Sequence, residues 1–328
     1  MTQTVDLIGV GSPLVDLLIQ VSDDFLTQHV SGAKGGMELV DDQVIDGILK
    51  KYKKQPELAA GGAASNTTVG AANLGLRTAF IGSIGQDTTA EFYRQSLLSQ
   101  GCEPRLITHP TLSSGRVLSL ITPDSQRTMR TNLGAAAALD PALITPELFA
   151  GARLVVLEGY TLFNPDLTRA VANSAKAAGC ELALDLASFE VVRYGRGVLE
   201  ELLSGQVDIV FANEDEAAAW NPAGPEAALA DLAGRTKIAV VKLGKAGALI
   251  ARGSERVRIA AETVTAIDTT GAGDTWAAGF LAGHLNGLPL ERSGQLGAKC
   301  AAAVVQVIGA QVPREQWLTL KGWLDAWR

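Results

Sequence analysis

The chain has 328 residues, 47% of them apolar and 19% charged, and its 35 acidic and 28 basic side chains leave a net charge of −7. That describes a soluble globular chain with a large core, and the negative balance argues against nucleic acid as a partner. With no uncharged apolar run of 18 residues, no signal-like leader, and three scattered cysteines (Cys102, Cys180, Cys300), no membrane partner or zinc site is expected, and a reducing, cytoplasmic setting is.

Val5 to Val10 reads as a buried strand ending in Gly9-Val-Gly11. This is not a dinucleotide fingerprint, because position 14 is Leu rather than glycine and no helical pattern follows. Leu14 to Val21 is β-rich and carries a single acid, Asp16. Such an acid is either an edge residue or a group facing a cleft, where it accepts hydrogen bonds from hydroxyls. Residues 32–40 read as a strand flanked by glycines. Residues 41–54 read as a helix whose lysine-rich end complements the dipole. Gly61-Gly62-Ala63-Ala64-Ser65-Asn66 then opens a small-residue helix that stops at Leu74-Gly75. Gly61 and Gly62 let a ligand approach the backbone, and Asn66 offers a donor and an acceptor; the same run also suits a plain turn before a helix.

Arg77 to Gly85 is expected as a strand and Thr88 to Gln100 as a helix closed by Gly101. Ser114–Thr122 and Arg127–Leu133, joined by Pro123-Asp124-Ser125, read as a hairpin. With residues 14–21 and 33–40 this hairpin would form a small β layer. From Ala152 onward strands (154–158, 182–186, 207–212, 238–243) alternate with helices (165–178, 198–203, 214–220, 225–233). The alternation predicts an α/β fold with a mostly parallel sheet and helices on both faces. The expected division is a large unit of residues 1–11, 41–110 and 136–328, and a discontinuous β lid of residues 12–40 and 111–135. Helical patterns over residues 292–307 and 315–327 close the chain.

The chemistry concentrates in Asp268 to Asn286, where Gly271-Ala272-Gly273 leads into a helix-like apolar run and Asp274 stands at the junction. Unpaired amides and the dipole favour an anion at a helix start, and an acid beside such a site suits proton removal from an alcohol during phosphoryl transfer. An N-cap is the plainer role for Asp274. Asn213-Glu-Asp-Glu216 follows a strand, where polar groups face the ligand crevice of a parallel sheet. Glu216 suits Mg²⁺, held through water, and also suits a charged helix start. Lys242, followed by Gly244 and Gly247, ends another strand and could meet nucleotide phosphate or extend into solvent. Arg127, on the hairpin, could fold onto a transferring phosphate or stand exposed. Tyr160, after the strand 154–158, could stack on a flat ring or pack.

Asp268-Thr-Thr-Gly-Ala-Gly-Asp274 and Gly61-Gly62-Ala-Ala-Ser-Asn66 resemble the two signatures of the PfkB carbohydrate kinases, the ribokinase-like family, in the expected order. The resemblance runs nearly end to end. It implies a ribokinase-like fold with a β lid over the acceptor, Asp274 as base and the amides of Gly271, Ala272, Gly273 and Asp274 as an anion hole. It also implies Asp16, Gly62 and Asn66 on acceptor hydroxyls, and Asn213 and Glu216 on the Mg²⁺–ATP unit. Gly11-Ser-Pro-Leu-Val-Asp16, Gly36-Met-Glu-Leu-Val-Asp41, Gln126-Arg-Thr-Met and Glu158-Gly-Tyr160 are similar to adenosine-kinase-like members. Ser12 departs from the Asn of typical relatives, and Lys242 from their Thr or Ser. Many relatives hold a monovalent cation such as K⁺ near the loop at 268–270. The expectation is an ATP-dependent kinase acting on the primary hydroxyl of a purine nucleoside or sugar, with a homodimer through the lid as one assembly. Ribose or fructose as acceptor, or a binding protein without turnover, are the alternatives.

Overall fold

The computed structural model describes residues 5–124 and 126–328. β1 (Leu7–Val10) is apolar and buried throughout, as an interior parallel strand requires. β2 (Leu14–Gln20) alternates: Val15, Leu17 and Ile19 are buried, whereas Leu14, Asp16 and Leu18 face the other way. α1 (Asp23–His29), which hydrophobic periodicity does not reveal, starts at Ser22, whose hydroxyl accepts from the Phe25 amide. β3 (Met37–Leu39), α2 (Asp42–Tyr52), β4 (Glu57–Gly61), α3 (Ala63–Asn73), β5 (Thr78–Ile84), α4 (Thr88–Ser99) and β6 (Cys102–Thr108) follow. β7 (Gly115–Ile121) and β8 (Arg127–Asn132) form the expected antiparallel pair.

The C-terminal half alternates as its pattern predicts. It comprises β9 (Leu154–Glu158), α5 (Pro165–Ala177), β10 (Glu181–Asp185), α6 (Phe189–Tyr194), α7 (Arg196–Leu203), β11 (Ile209–Ala212) and α8 (Glu214–Trp220). α9 (Pro225–Ala233), β12 (Ile238–Lys242), β13 (Ala248–Arg252), β14 (Glu255–Ile259), α10 (Ala272–Leu285), α11 (Leu290–Val304) and α12 (Arg314–Trp327) complete it.

Nine strands form one sheet in the order β14-β13-β12-β11-β10-β9-β1-β5-β6, parallel from β12 to β6 and antiparallel at the β13–β14 edge. A second sheet has the order β3-β8-β7-β2-β4. Three expectations need correction. Residues 57–61, assigned to the large unit, form β4 and pair antiparallel with β2 in the small sheet. Within 32–40 only Met37–Leu39 is strand, since Gly32 and Gly35 turn at positive φ. The edge strands β6, β13 and β14 lie outside the expected set, although β13 and β14 form a hairpin joined by a two-residue turn at Gly253-Ser254.

One hydrophobic core covers each face of the large sheet. A third joins the inward face of β2 and β7 to α2 and α4. α10 is apolar nearly all round and almost wholly buried, the mark of a central helix. It packs closely through glycine: side chains at Gly70, Gly279 and Gly297 would meet Ala278, Cys300 and Trp276. Trp276 stacks on Phe280 at 5.5 Å, and Phe211 meets Phe280 edge-on at 5.6 Å. This packing sets the amino end of α10 beside that of α3. Among the described residues, no helix is long and apolar enough to cross a membrane.

Candidate active site

The carboxyl ends of β9 to β12 and the amino ends of α3 and α10 meet at one place. Gly271 caps α10 in the left-handed region at φ 72°, and a side chain there would collide with Ala310. Asp274, in the first turn, accepts from Asn66 Nδ2 at 2.9 Å, and its carbonyl accepts from Thr67 at 3.1 Å. Burial pushes the Asp274 carboxyl up to about 7, helped by the nearby charges of Asp185 and Glu158 and opposed by Asn66 and Lys242. A carboxyl with that value serves as a base near neutral pH.

Across the cleft, Asp16 accepts from Ser119 Oγ at 3.3 Å, and burial raises its carboxyl despite the opposing charge of Arg127. A side chain at Gly61 would fall 2.7 Å from Asp16 Oδ2. Gly62, at φ 105°, turns the chain where a side chain would strike the Ser12 carbonyl. Arg127 is not a free lid residue. Its Nη1 donates to Thr270 Oγ1 at 2.6 Å and to Asp268 at 3.3 Å, tying the small sheet to the glycine-rich loop. The Arg127 Nε is buried without a protein acceptor.

Asn213 and Glu216 form a reciprocal capping box at α8. The Asn213 amide and Nδ2 donate to the Glu216 carboxylate, each at 2.7 Å, and the Glu216 amide donates back at 2.9 Å. The helix-start role is therefore real, and burial with the charge of Asp185 pushes Glu216 up to about 7. Lys242 does not extend into solvent: its ammonium turns inward, 2.7 Å from Asp185 Oδ2. Gly244 and Gly247 stand apart from this cluster, shaping the β12–β13 turn at φ 50° and 91°. Tyr160 is 47% exposed, and burial of its hydroxyl, with the charges of Glu158, Glu216 and Asp274, raises it to about 12.

Two acids outside the sequence-derived site belong here. Glu158 is fully buried; it accepts from the Ser12 amide at 2.8 Å and the Ala64 amide at 3.2 Å, clamping both glycine turns. Asp185 holds Lys242 and also accepts from the amide of Ala187, a non-glycine residue at φ 65°. Each acid is the last residue of a strand, after Leu154–Leu157 in β9 and Leu182–Leu184 in β10, and an acid closing an apolar run is the available signal. Among the described residues, no three His, Cys, Asp or Glu side chains are grouped to hold a metal unaided.

Residues 36–317 match the profile of the pfkB family carbohydrate kinases. The chain belongs to that family. Like other pfkB family proteins it is a phosphotransferase with an alcohol acceptor, carrying out ATP-dependent phosphorylation of a nucleoside or sugar. Its structure is similar to the crystal structure of adenosine kinase from Sinorhizobium meliloti, with a TM-score of 0.86 and 33% identity over 98% of this chain and 99% of that one. Adenosine kinase of Saccharomyces cerevisiae is 28% identical over 95% of this chain and 98% of its own. An ATP-dependent ribose-1-phosphate kinase of Halopiger xanaduensis is 30% identical over 77% of this chain and 82% of its own. Two of these relatives are adenosine kinases and the third is a ribose-1-phosphate kinase.

Proposed function

We propose that this kinase phosphorylates the primary hydroxyl of adenosine or a close purine nucleoside, with Asp274 as base and the amides of Gly271, Ala272, Gly273 and Asp274 as anion hole. Asp16, Gly61, Gly62 and Asn66 hold the ribose hydroxyls. Arg127 meets the transferring phosphoryl group, whose oxygens suit its unpartnered Nε.

The observation that carries the nucleoside reading is the cleft face of the small sheet. Side chains level with one another across paired strands share a face. Met37 pairs with Met129, Met129 with Ser119, and Ser119 with Leu18, so Met37 and Leu39 share the face of Asp16 and Arg127. Met37 and Leu39 are 55% and 65% exposed. An apolar rim on the face of Asp16 suits a base attached to a sugar, and the half-exposed ring of Tyr160, in the field of Glu158 and Asp274, offers a stacking surface. Sugar alone leaves that rim uncovered.

ATP supplies the phosphoryl group. Mg²⁺, which binds through phosphate oxygens and water with one or two carboxylates, fits the donor set, because Glu216 and Asp185 are few and partly engaged. Asp268 is shared among Arg127, Thr270 and the Gly309 amide, so K⁺ would have to join a filled site. The three thiols are buried and unpaired, in keeping with the cytoplasm. The edges of the small sheet, β3 and β4, offer a route to a homodimer.

The deciding measurement is ADP release with adenosine, ribose and fructose. Adenosine should lead by tenfold or more in kcat/KM, and Tyr160→Ala should weaken nucleosides by about 0.5–1.5 kcal/mol while leaving sugars unchanged. A sugar turned over about tenfold better than every nucleoside leaves the kinase standing and overturns the acceptor, a factor worth about 1.4 kcal/mol.

A further inference from the structure

Gly273 raises a question that backbone geometry does not answer. It lies inside the first turn of α10 without a positive φ, so its conformation does not require glycine. A Cβ at this position would meet one residue only: Lys242, with Nζ at 3.1 Å and Cε at 3.8 Å. The ammonium therefore lies against the turn whose amides face the anion site.

Lys242 is held there on several sides. Its Nζ sits 2.7 Å from Asp185 Oδ2, and both side chains are nearly enclosed, 11% and 13% exposed. The Phe211 ring lies beneath it at 5.8 Å. Asp185, Glu216 and Asp274 all act on this one cation. A buried ammonium with a single bonded carboxylate retains two donor hydrogens, and each gains most from a further anion in a water-poor site.

We propose that Lys242 is a fixed cation of the phosphoryl-transfer site, aimed by Asp185 across the space that Gly273 leaves open, so that transferring-phosphate charge meets an ammonium as well as the α10 amides. This inference rests on the kinase reading above. It also gives Asp185 a positioning role and makes the absence of a side chain at Gly273 part of the device.

Turnover of an acceptor by the wild-type enzyme is measured first, since failure there concerns the kinase reading alone. Lys242→Met should then lower kcat by about 100-fold or more, as removal of a charge-stabilising donor does. It should weaken ATP binding about tenfold and leave acceptor affinity within about twofold, since an ammonium-to-phosphate bond is charge-assisted. If the single variant does not fold because Asp185 is left unpaired, Lys242→Met with Asp185→Asn carries the same measurement. A double-mutant cycle completes the test. Gly273→Ala should lower kcat/KM for ATP strongly in the wild type and hardly further in Lys242→Met. Equal losses in both backgrounds, or a Lys242→Met enzyme with only a reduced melting temperature, would overturn the proposal.

Discussion

At the scale of single residues, Asp274 combines a raised proton affinity with a place beside amide donors. Asp274→Asn should keep its contact with Asn66 yet lower kcat by about 10²–10⁴-fold with ATP affinity preserved; activity within tenfold of wild type removes the base assignment. The same substitution carries a stability signature. A carboxyl at about 7 in the folded chain, against 3.8 as its ordinary value, binds its proton more tightly when folded. Wild-type stability from this group therefore falls as pH rises from about 4 to about 7 and is level above, where the folded chain carries the buried charge. Asp274→Asn should match wild type near pH 4 and melt higher at pH 8, which thermal unfolding at the two pH values will show. Asp16, on the opposite wall, calls for a different outcome. Asp16→Ala should raise the acceptor KM about tenfold or more, because hydrogen bonds to a charged partner contribute about 1.5–3 kcal/mol, and leave ATP affinity alone. Unchanged acceptor affinity with a lowered melting temperature assigns Asp16 to the fold.

At the scale of elements, the site depends on where helices begin. α10 starts at Gly271, where φ is 72° and Ala310 fills the space a side chain would need. Gly271→Ala should thus destabilise the protein by about 1–3 kcal/mol through backbone strain alone. The clash with Ala310 adds to that and tilts the turn away from Asn66. A urea midpoint unchanged within error, with kcat intact, contradicts this account of the turn. α8 illustrates the opposite economy: Asn213 and Glu216 cap their own helix at the carboxyl end of β11, so one capping box holds both proposed Mg²⁺–ATP groups in place. A helix start is where unpaired amides and cleft-facing side chains coincide.

At the scale of the molecule, Arg127 links the small sheet to the glycine-rich loop before α10. Its guanidinium reaches from β8 to Thr270 and Asp268, while Asp268 also takes the amide of Gly309. Arg127→Met should release the small sheet from the glycine-rich loop. We expect faster amide hydrogen exchange in β7 and β8, unchanged protection in β9 to β12, and a kcat lower by about 10³-fold if the guanidinium meets the transferring phosphate. Unaltered exchange together with full activity makes the bridge incidental.

The sequence by itself determined the α/β architecture, the order of most strands and helices, and the two glycine-rich signatures. Those are local matters: apolar runs, period 3.6 against period 2, and glycine where the backbone must turn. It also marked Asp16, Asn66, Asp274 and Glu216, because an acid or amide next to a glycine turn or strand end stands where backbone amides and a cleft coincide, while leaving a cap or edge role open for each. Only the tertiary structure decided that residues 57–61 join the small sheet, since strand partners are chosen by long-range pairing. Only it showed Arg127 bound to Thr270, Glu158 clamping Ser12 and Ala64, and Lys242 turned inward onto Asp185. Those contacts join residues 57 to 146 positions apart in the chain. No local pattern records them, because which buried charge finds which partner is settled by how the sheets and helices pack.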